Sequence, residues 1–243
     1  MLSQFMRTNQ GVPPRPVRVF LTGPSRSGKT SCALSFPNPL LVSAKHENGS
    51  RVADNLPFHV SVIECDAFRG KGAPSLKDVL KWANAEARNG TLRRFDGSPV
   101  GTFILDSGSH FESILLNEIA PDGTMSEKRW GELLEEWKEL QAILWQLPVN
   151  VVITCLDKVK TTKAGAVVGH GPALQGQIGA LLPAACDITG YCEQEHDGKF
   201  YCYVCRRGAF TGGTRLIGMP NAPYHNFSYG AHIAPYLGGP SHG

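Results

Sequence analysis

The segment Gly23-Pro24-Ser25-Arg26-Ser27-Gly28-Lys29-Thr30 follows the apolar run Val17 to Leu21 and leads into Ser31-Cys32-Ala33-Leu34-Ser35-Phe36. It fits G-x-x-x-x-G-K-[ST] in the order strand, glycine loop, helix, the context that separates a phosphate-binding loop from a glycine-rich turn ahead of a helix. The glycines let the backbone turn so that successive N–H groups point inward at an anion, and the helix N-terminus adds its partial positive charge. The loop and the adjoining Ser31 are therefore candidate nucleotide-binding residues. Lys29 is expected on the β- and γ-phosphates, and the Thr30 hydroxyl in the shell of a Mg²⁺ that keeps most of its waters.

A length of 243 residues suits one α/β domain with a substantial core and is too short for a motor plus a separate nuclease. The net charge of +3 argues against a purely electrostatic nucleic-acid binder while leaving room for a local basic patch. Seven scattered cysteines, several within apolar runs, read as reduced thiols. Met1 to Gln10 lacks an apolar signal-peptide core, and no apolar stretch approaches the ~18 residues that span a bilayer. A soluble cytoplasmic chain with no membrane partner is expected.

In chain order, residues 1–16 are polar and proline-rich and are expected to form an arm. Pro37 and Pro39 stop the first helix, and Leu40 to Ala44 reads as a second buried strand. Lys45-His46-Glu47-Asn48-Gly49-Ser50 follows it. Ligands bind at the carboxyl ends of parallel strands, so Glu47 is a candidate for orienting or deprotonating an attacking water. His59 to Cys65 alternates as a third strand. Ser75 to Arg88 carries Leu76, Val79, Leu80, Trp82 and Ala83 on one helical face, with Ser75 as N-cap and Gly90 as stop. Thr102 to Ser107 is an apolar strand ending in an acid, which places Asp106 as the carboxylate that holds Mg²⁺ or its water.

Residues 126–147 have the clearest helical period, with Trp130, Leu133, Leu134, Trp137, Leu140, Ile143, Leu144 and Leu147 on one side, an expected core stripe. Asn150 to Cys155 reads as a further buried strand. The following stretch, Asp157 to Gln177, reads as a long glycine-rich loop whose Lys158, Lys160 and Lys163 are suited to a phosphodiester backbone. Ile188 to Cys192 and Phe200 to Cys205 read as strands of a hairpin turning at Asp197-Gly198. Zinc at Cys192, Cys202 and Cys205 is disfavoured, because strand residues three apart point to opposite faces. Arg206, Arg207 and Arg215 flank a flexible glycine-bearing turn, and the tail from Asn221 to Gly243, which has no assignable period, reads as a surface arm.

The order of these pieces, with Glu47-x-Gly49-Ser50, Phe103-Ile104-Leu105-Asp106, the Trp-rich helix and Val151-Val152-Ile153-Thr154, resembles the RecA-like core. It is most similar to small bacteriophage-encoded RecA-like ATPases, a group that includes ATP-dependent single-strand annealing proteins. Leu182-Pro183 to Asp187 and Thr214-Arg215-x-x-Gly218-x-Pro220 add to the likeness, which covers roughly residues 15–220. The resemblance implies an α/β fold with a RecA-like P-loop NTPase core, mostly parallel, flanked by helices and ending in a β-hairpin. Its ATPase domain would span residues 17–220, between the arm at 1–16 and the tail at 221–243. It also implies ATP and Mg²⁺ as cofactors, Lys29 and Glu47 as catalytic residues and Asp106 as the second acidic motif. The 157–177 segment falls where RecA-like proteins place a DNA-binding loop. Single-stranded DNA, a single-strand-binding protein and further copies of the chain are the implied partners, in a host cytoplasm if the gene is a phage's. Sites of this kind are completed between subunits, making Arg206, Arg207 or Arg215 candidates for reaching a neighbour's phosphates. The chain departs from RecA-type recombinases at Thr154-Cys155, where they carry a glutamine that senses the γ-phosphate. The other readings are a nucleotide-dependent scaffold or DNA-packaging accessory, and a small-molecule phosphotransferase.

Overall fold

A computed structural model describes residues 15–45, 49–69, 74–161, 164, 167–208 and 210–237. Five strands form its parallel centre: β1 (Arg18–Gly23), β2 (Pro39–Ala44), β3 (Ser61–Cys65), β4 (Thr102–Asp106) and β5 (Asn150–Thr161). β5 turns back antiparallel as β6 (Val167–Pro172), and β7 (Ile188–Gln194) rejoins the sheet parallel to β1. β8 (Phe200–Tyr203), one short pair of Arg206–Arg207 (β9) with Phe210–Thr211 (β10), Gly213–Thr214 (β11) and Pro223–His225 (β12) complete the strands. Across the sheet the order is β12-β8-β7-β1-β5-β4-β2-β3. The chain thus steps outward from β1 on both sides, and the loop after β1 opens at a topological switch point.

The strands alternate between two cores, as a period of two requires of a sheet covered on both faces. Phe20, Leu40, Val42, Phe103, Leu105, Val151 and Ile153 face α3 (Leu76–Arg88), α4 (Gly108–Ile119), α5 (Glu127–Gln146) and α6 (Ile178–Ala184). Val19, Leu21, Leu41, Ile104 and Val152 face α1 (Lys29–Leu34), α2 (Gly49–Asp54) and the C-terminal segment. The helix starts follow local chemistry. Ser75 accepts the Asp78 N–H at 3.2 Å and Ser126 accepts the Arg129 N–H at 3.3 Å, each satisfying a donor the first turn leaves over. At the other end of α5 the Arg18 guanidinium donates to the carbonyls of Val149 (2.6 Å), Leu147 (2.8 Å) and Trp145 (3.2 Å), joining the start of β1 to the end of the helix.

Three stretches differ from what the sequence suggests. Asp157 to Pro172, expected as a loop, is largely the hairpin of β5 and β6, in register from Asp157↔Pro172 to Lys160↔Gly169. Asn221 to Leu237, expected as a surface arm, adds β12 to the edge of β8, then α7 (Tyr229–His232) and a 3₁₀ turn at Ala234–Tyr236. Phe227 and Ile233 are buried there in the second core, so apolar anchors spaced without a period hold the segment. On α5, Trp137 is buried but Trp130 is 41% exposed, so the apolar stripe is not buried along its whole length. Of the arm expected at residues 1–16, residues 1–14 lie outside the described residues, and Arg15 pairs with Asp187 just ahead of β7.

Trp137 is among the largest fully buried side chains and packs edge-on against Phe68, ring centroids 6.0 Å apart. Trp137→Ala should therefore lower unfolding free energy by about 3–5 kcal/mol, read from the urea midpoint at unchanged m-value, whereas Trp130→Ala should shift it little.

Candidate nucleotide site

The loop from Gly23 to Thr30 joins β1 to α1. Gly23 sits where β7 comes closest: a Cβ there would lie 2.0 Å from the Cys192 carbonyl oxygen, so no larger residue fits. Arg26 (φ 64°) and Gly28 (φ 83°) are left-handed, and this alternation of backbone hand turns consecutive N–H groups toward one concavity. Lys29 is buried. Its amine donates to the carbonyls of Gly23 (2.9 Å) and Pro24 (2.6 Å) and to Ser27 Oγ (3.2 Å), bridging the loop. Burial lowers the Lys29 pKa, opposed by the nearby Asp106 and Asp157 carboxylates.

Asp106 ends β4, buried at 2% exposure, and its two oxygens are divided between two threonines. Thr30 Oγ1 donates to Oδ2 at 3.0 Å and Thr154 Oγ1 donates to Oδ1. The register of β4 on β5 and of β1 on β5 brings these three together from distant parts of the sequence. A hydroxyl and a carboxylate are hard oxygen donors of the kind Mg²⁺ takes alongside water and phosphate, so Thr30 and Asp106 fit the expected ion. The residues lining a cleft of about 680 Å³ include Ser25 to Ser31, Asp106, Ser107, His110 and Phe200.

Two of these were not singled out from the sequence. His110, in the first turn of α4, holds Ser107 Oγ at 2.9 Å from Nδ1 and faces the cleft beside Asp106. The signal for it was its place at the start of the helix that follows the strand-end acid Asp106. Phe200 opens β8 and reaches the loop from the other side: its Cδ1 lies 3.2 Å from where a Cβ on Gly28 would be.

The remaining expected residues are dispersed. Glu47 and Lys163 lie outside the described residues, and Lys160 lies in β5. Lys158 donates its amine to the Leu174 carbonyl. Arg207 is paired with Glu193 and Glu195, both at 2.7 Å, Arg206 Nε donates to the Gly208 carbonyl at 3.2 Å, and Arg215 donates to the Ala184 carbonyl. Cys192 and Cys202 are cross-strand partners, both buried.

A family model described as an AAA domain matches residues 15–217. The chain belongs to this family. AAA domains are usually ATPases, and the loop, Lys29, Thr30 and Asp106 of this AAA domain are arranged as nucleotide-dependent chemistry requires. No curated protein matches the chain. Among the described residues, no helix of the AAA domain is long and apolar enough to cross a membrane.

Behind the site, α4 is tied to the base of the β5–β6 hairpin. Ser109 Oγ accepts the Leu156 N–H at 3.1 Å, and the buried Glu112 carboxylate accepts the Gln175 N–H, 3.0 Å from each oxygen. Burial pushes the Glu112 carboxyl up to about 7, against the Gln175 N–H and the charge of Lys158, which lower it.

Two outcomes follow from this geometry. Thr154→Val removes the hydroxyl that donates to the buried Asp106 carboxylate and should weaken Mg²⁺-supported nucleotide binding about tenfold, while binding in EDTA changes less; titration calorimetry with and without Mg²⁺ checks it. For Glu112 the folded-state pKa lies above its ordinary 4.5, so the folded chain keeps a proton that the unfolded chain has lost. Its contribution to stability is complete below about 4.5 and is lost as pH rises to about 7. Glu112→Gln keeps an acceptor for Gln175 and should flatten that fall, seen as a smaller Tm difference between pH 5 and pH 8 than in the wild type.

Proposed function

We propose that this AAA domain binds ATP with Mg²⁺ in the cleft, hydrolyses it slowly, and uses the cycle to handle single-stranded DNA in phage recombination or replication, as a RecA-like protein. The observation that carries the reading is the junction of Thr30, Asp106 and Thr154, a strand-end carboxylate aimed at the hydroxyl of the phosphate loop. Mg²⁺ bound there would neutralise charge on the β- and γ-phosphates. Lys29 grips the same phosphates, exchanging its bonds to loop carbonyls for stronger charge-assisted ones. Glu47 is assigned to orient or deprotonate the attacking water, on its place after β2. Ser107 holds the His110 ring at the same end of the cleft.

Support for the DNA part comes from β5. The strand that carries Thr154 against Asp106 continues outward as the hairpin bearing Lys158 and Lys160, with Lys163 following in sequence. Lysines carried on such an arm suit a phosphodiester backbone and would give salt-sensitive, sequence-independent affinity. Assembly with further copies, with Arg206, Arg207 or Arg215 serving a neighbour's phosphates, belongs to the same proposal. A nucleotide-dependent scaffold is the second reading. It is favoured by the engagement of Lys158, Arg207 and Arg215 within their own chain.

ATP hydrolysis by the purified chain, with and without single-stranded DNA across a salt series, separates the two. The first reading expects DNA stimulation that fades with salt and falls in Lys158→Ala/Lys160→Ala/Lys163→Ala. It also expects Glu47→Gln to lose turnover by a factor of about 100 or more while keeping ATP affinity. Turnover indifferent to DNA would sink the DNA-handling role, and a Glu47→Gln chain that behaves as wild type would favour the scaffold.

A further inference from the structure

A second cavity, of about 280 Å³, adjoins the cleft on the outer side of α1. The two share Ser27, Gly28, Ser31 and Phe200, so the second cavity lies directly beside the phosphate loop. Its walls come from three parts of the chain: α1 supplies Ser31 and Ser35, β8 supplies Phe200 and Tyr201, and the turn before α7 supplies Asn226 and Ser228. The last wall is fastened to the others. Asn226 N–H donates to the Phe200 carbonyl at 3.0 Å, and Tyr229 N–H donates to Ser35 Oγ at 3.0 Å.

The chemistry of the lining is that of a neutral planar guest. Cys32, Cys192 and Cys202 form the buried floor. Burial pushes the Cys32 thiol well up, and the hydrogen bond to Cys192 together with burial does the same for Cys202, so these two thiols carry no charge near neutral pH. No Lys or Arg is among the cavity's lining residues, which makes it a poor phosphate site. Phe200 is 39% exposed at the junction, and its ring packs over Gly28, where the missing Cβ admits it to the phosphate loop. An exposed aromatic face beside an uncharged pocket is a stacking platform. Direction agrees. With the γ-phosphate at the Asp106 and His110 end of the cleft, the α-phosphate falls near Ser31, and the sugar and base must leave the loop on that side.

We propose that this cavity receives the ribose and base of the nucleotide, with Phe200 stacked on the base and Asn226 and Ser228 at its polar rim. The proposal rests on the nucleotide reading of the phosphate loop and adds where the nucleoside is held. It also gives the C-terminal segment a role, since residues 226–228 close a pocket that α1 and β8 leave open. Recognition through a ring face, which every base possesses, implies modest selection among bases.

Calorimetry of the full chain with Mg²⁺ and either ATP, GTP or inorganic tripolyphosphate tests it. The wild type should bind ATP at least about tenfold more tightly than tripolyphosphate, with GTP close to ATP. Phe200→Ala should bring ATP down to the affinity of tripolyphosphate and leave tripolyphosphate unchanged, and Phe200→Trp should restore the difference. Lys29→Ala should weaken ATP and tripolyphosphate alike. Unchanged ATP affinity in Phe200→Ala, with Lys29→Ala impaired, overturns the base pocket and leaves the phosphate loop standing. Absence of effect from Lys29→Ala overturns the nucleotide reading beneath it. If Phe200→Ala loses tripolyphosphate too, Phe200→Leu decides, because it keeps the apolar wall without the aromatic face. Loss of the ATP advantage in Phe200→Leu supports stacking, and its retention overturns it.

Discussion

The Asp106 carboxylate is held between Thr30 and Thr154, and the site depends on that arrangement. A carboxylate at 2% exposure is costly unless hydrogen bonds replace the water it has lost. Here the replacements come from α1 on one side and β5 on the other. The requirement to satisfy one buried group therefore fixes the phosphate loop, β4 and β5 against each other. Thr154 lies in the buried half of β5, and its hydroxyl is used on Asp106.

β5 is the element that joins the cleft to the distal surface. Its buried half packs between β1 and β4, and its outer half pairs with β6. α4 runs beside it, with Ser107 and His110 at the cleft and Ser109 and Glu112 bonded to Leu156 and Gln175. A shift of α4 therefore acts on both ends at once. On the other side of the loop, Phe200 and the segment around Asn226 place the C-terminal part of the chain against α1. The nucleotide cleft is thus bounded by parts of the protein that are far apart in sequence and share only the sheet.

Much of the parallel sheet is legible because its strands are short apolar runs closed by turn residues, and because helices with a period of 3.6 separate them. Ser75 and Ser126 mark helix starts for a local reason, the capping of orphan N–H groups, which a sequence carries on its face. The β5–β6 hairpin was not legible: glycines and lysines break the alternation on both arms, and its pairing is supplied by backbone bonds that leave no side-chain signature. The C-terminal segment hides for a related reason. Its anchors, Phe227 and Ile233, are single apolar residues whose meaning depends on the core they enter.

The sequence by itself determined the phosphate loop, since glycine spacing, the lysine and the threonine act over eight neighbouring positions whose chemistry is local. It also determined the strand-end acid, the helix caps and the parallel α/β class. Only the tertiary structure decided that Thr154 would be the second partner of Asp106, that Glu112 would be buried under the hairpin, and that Lys158 and Arg207 would bond within their own chain. Each of those outcomes requires residues at least 12 positions apart to meet, and such meetings are set by sheet register and by the burial of polar groups, which a linear pattern does not encode.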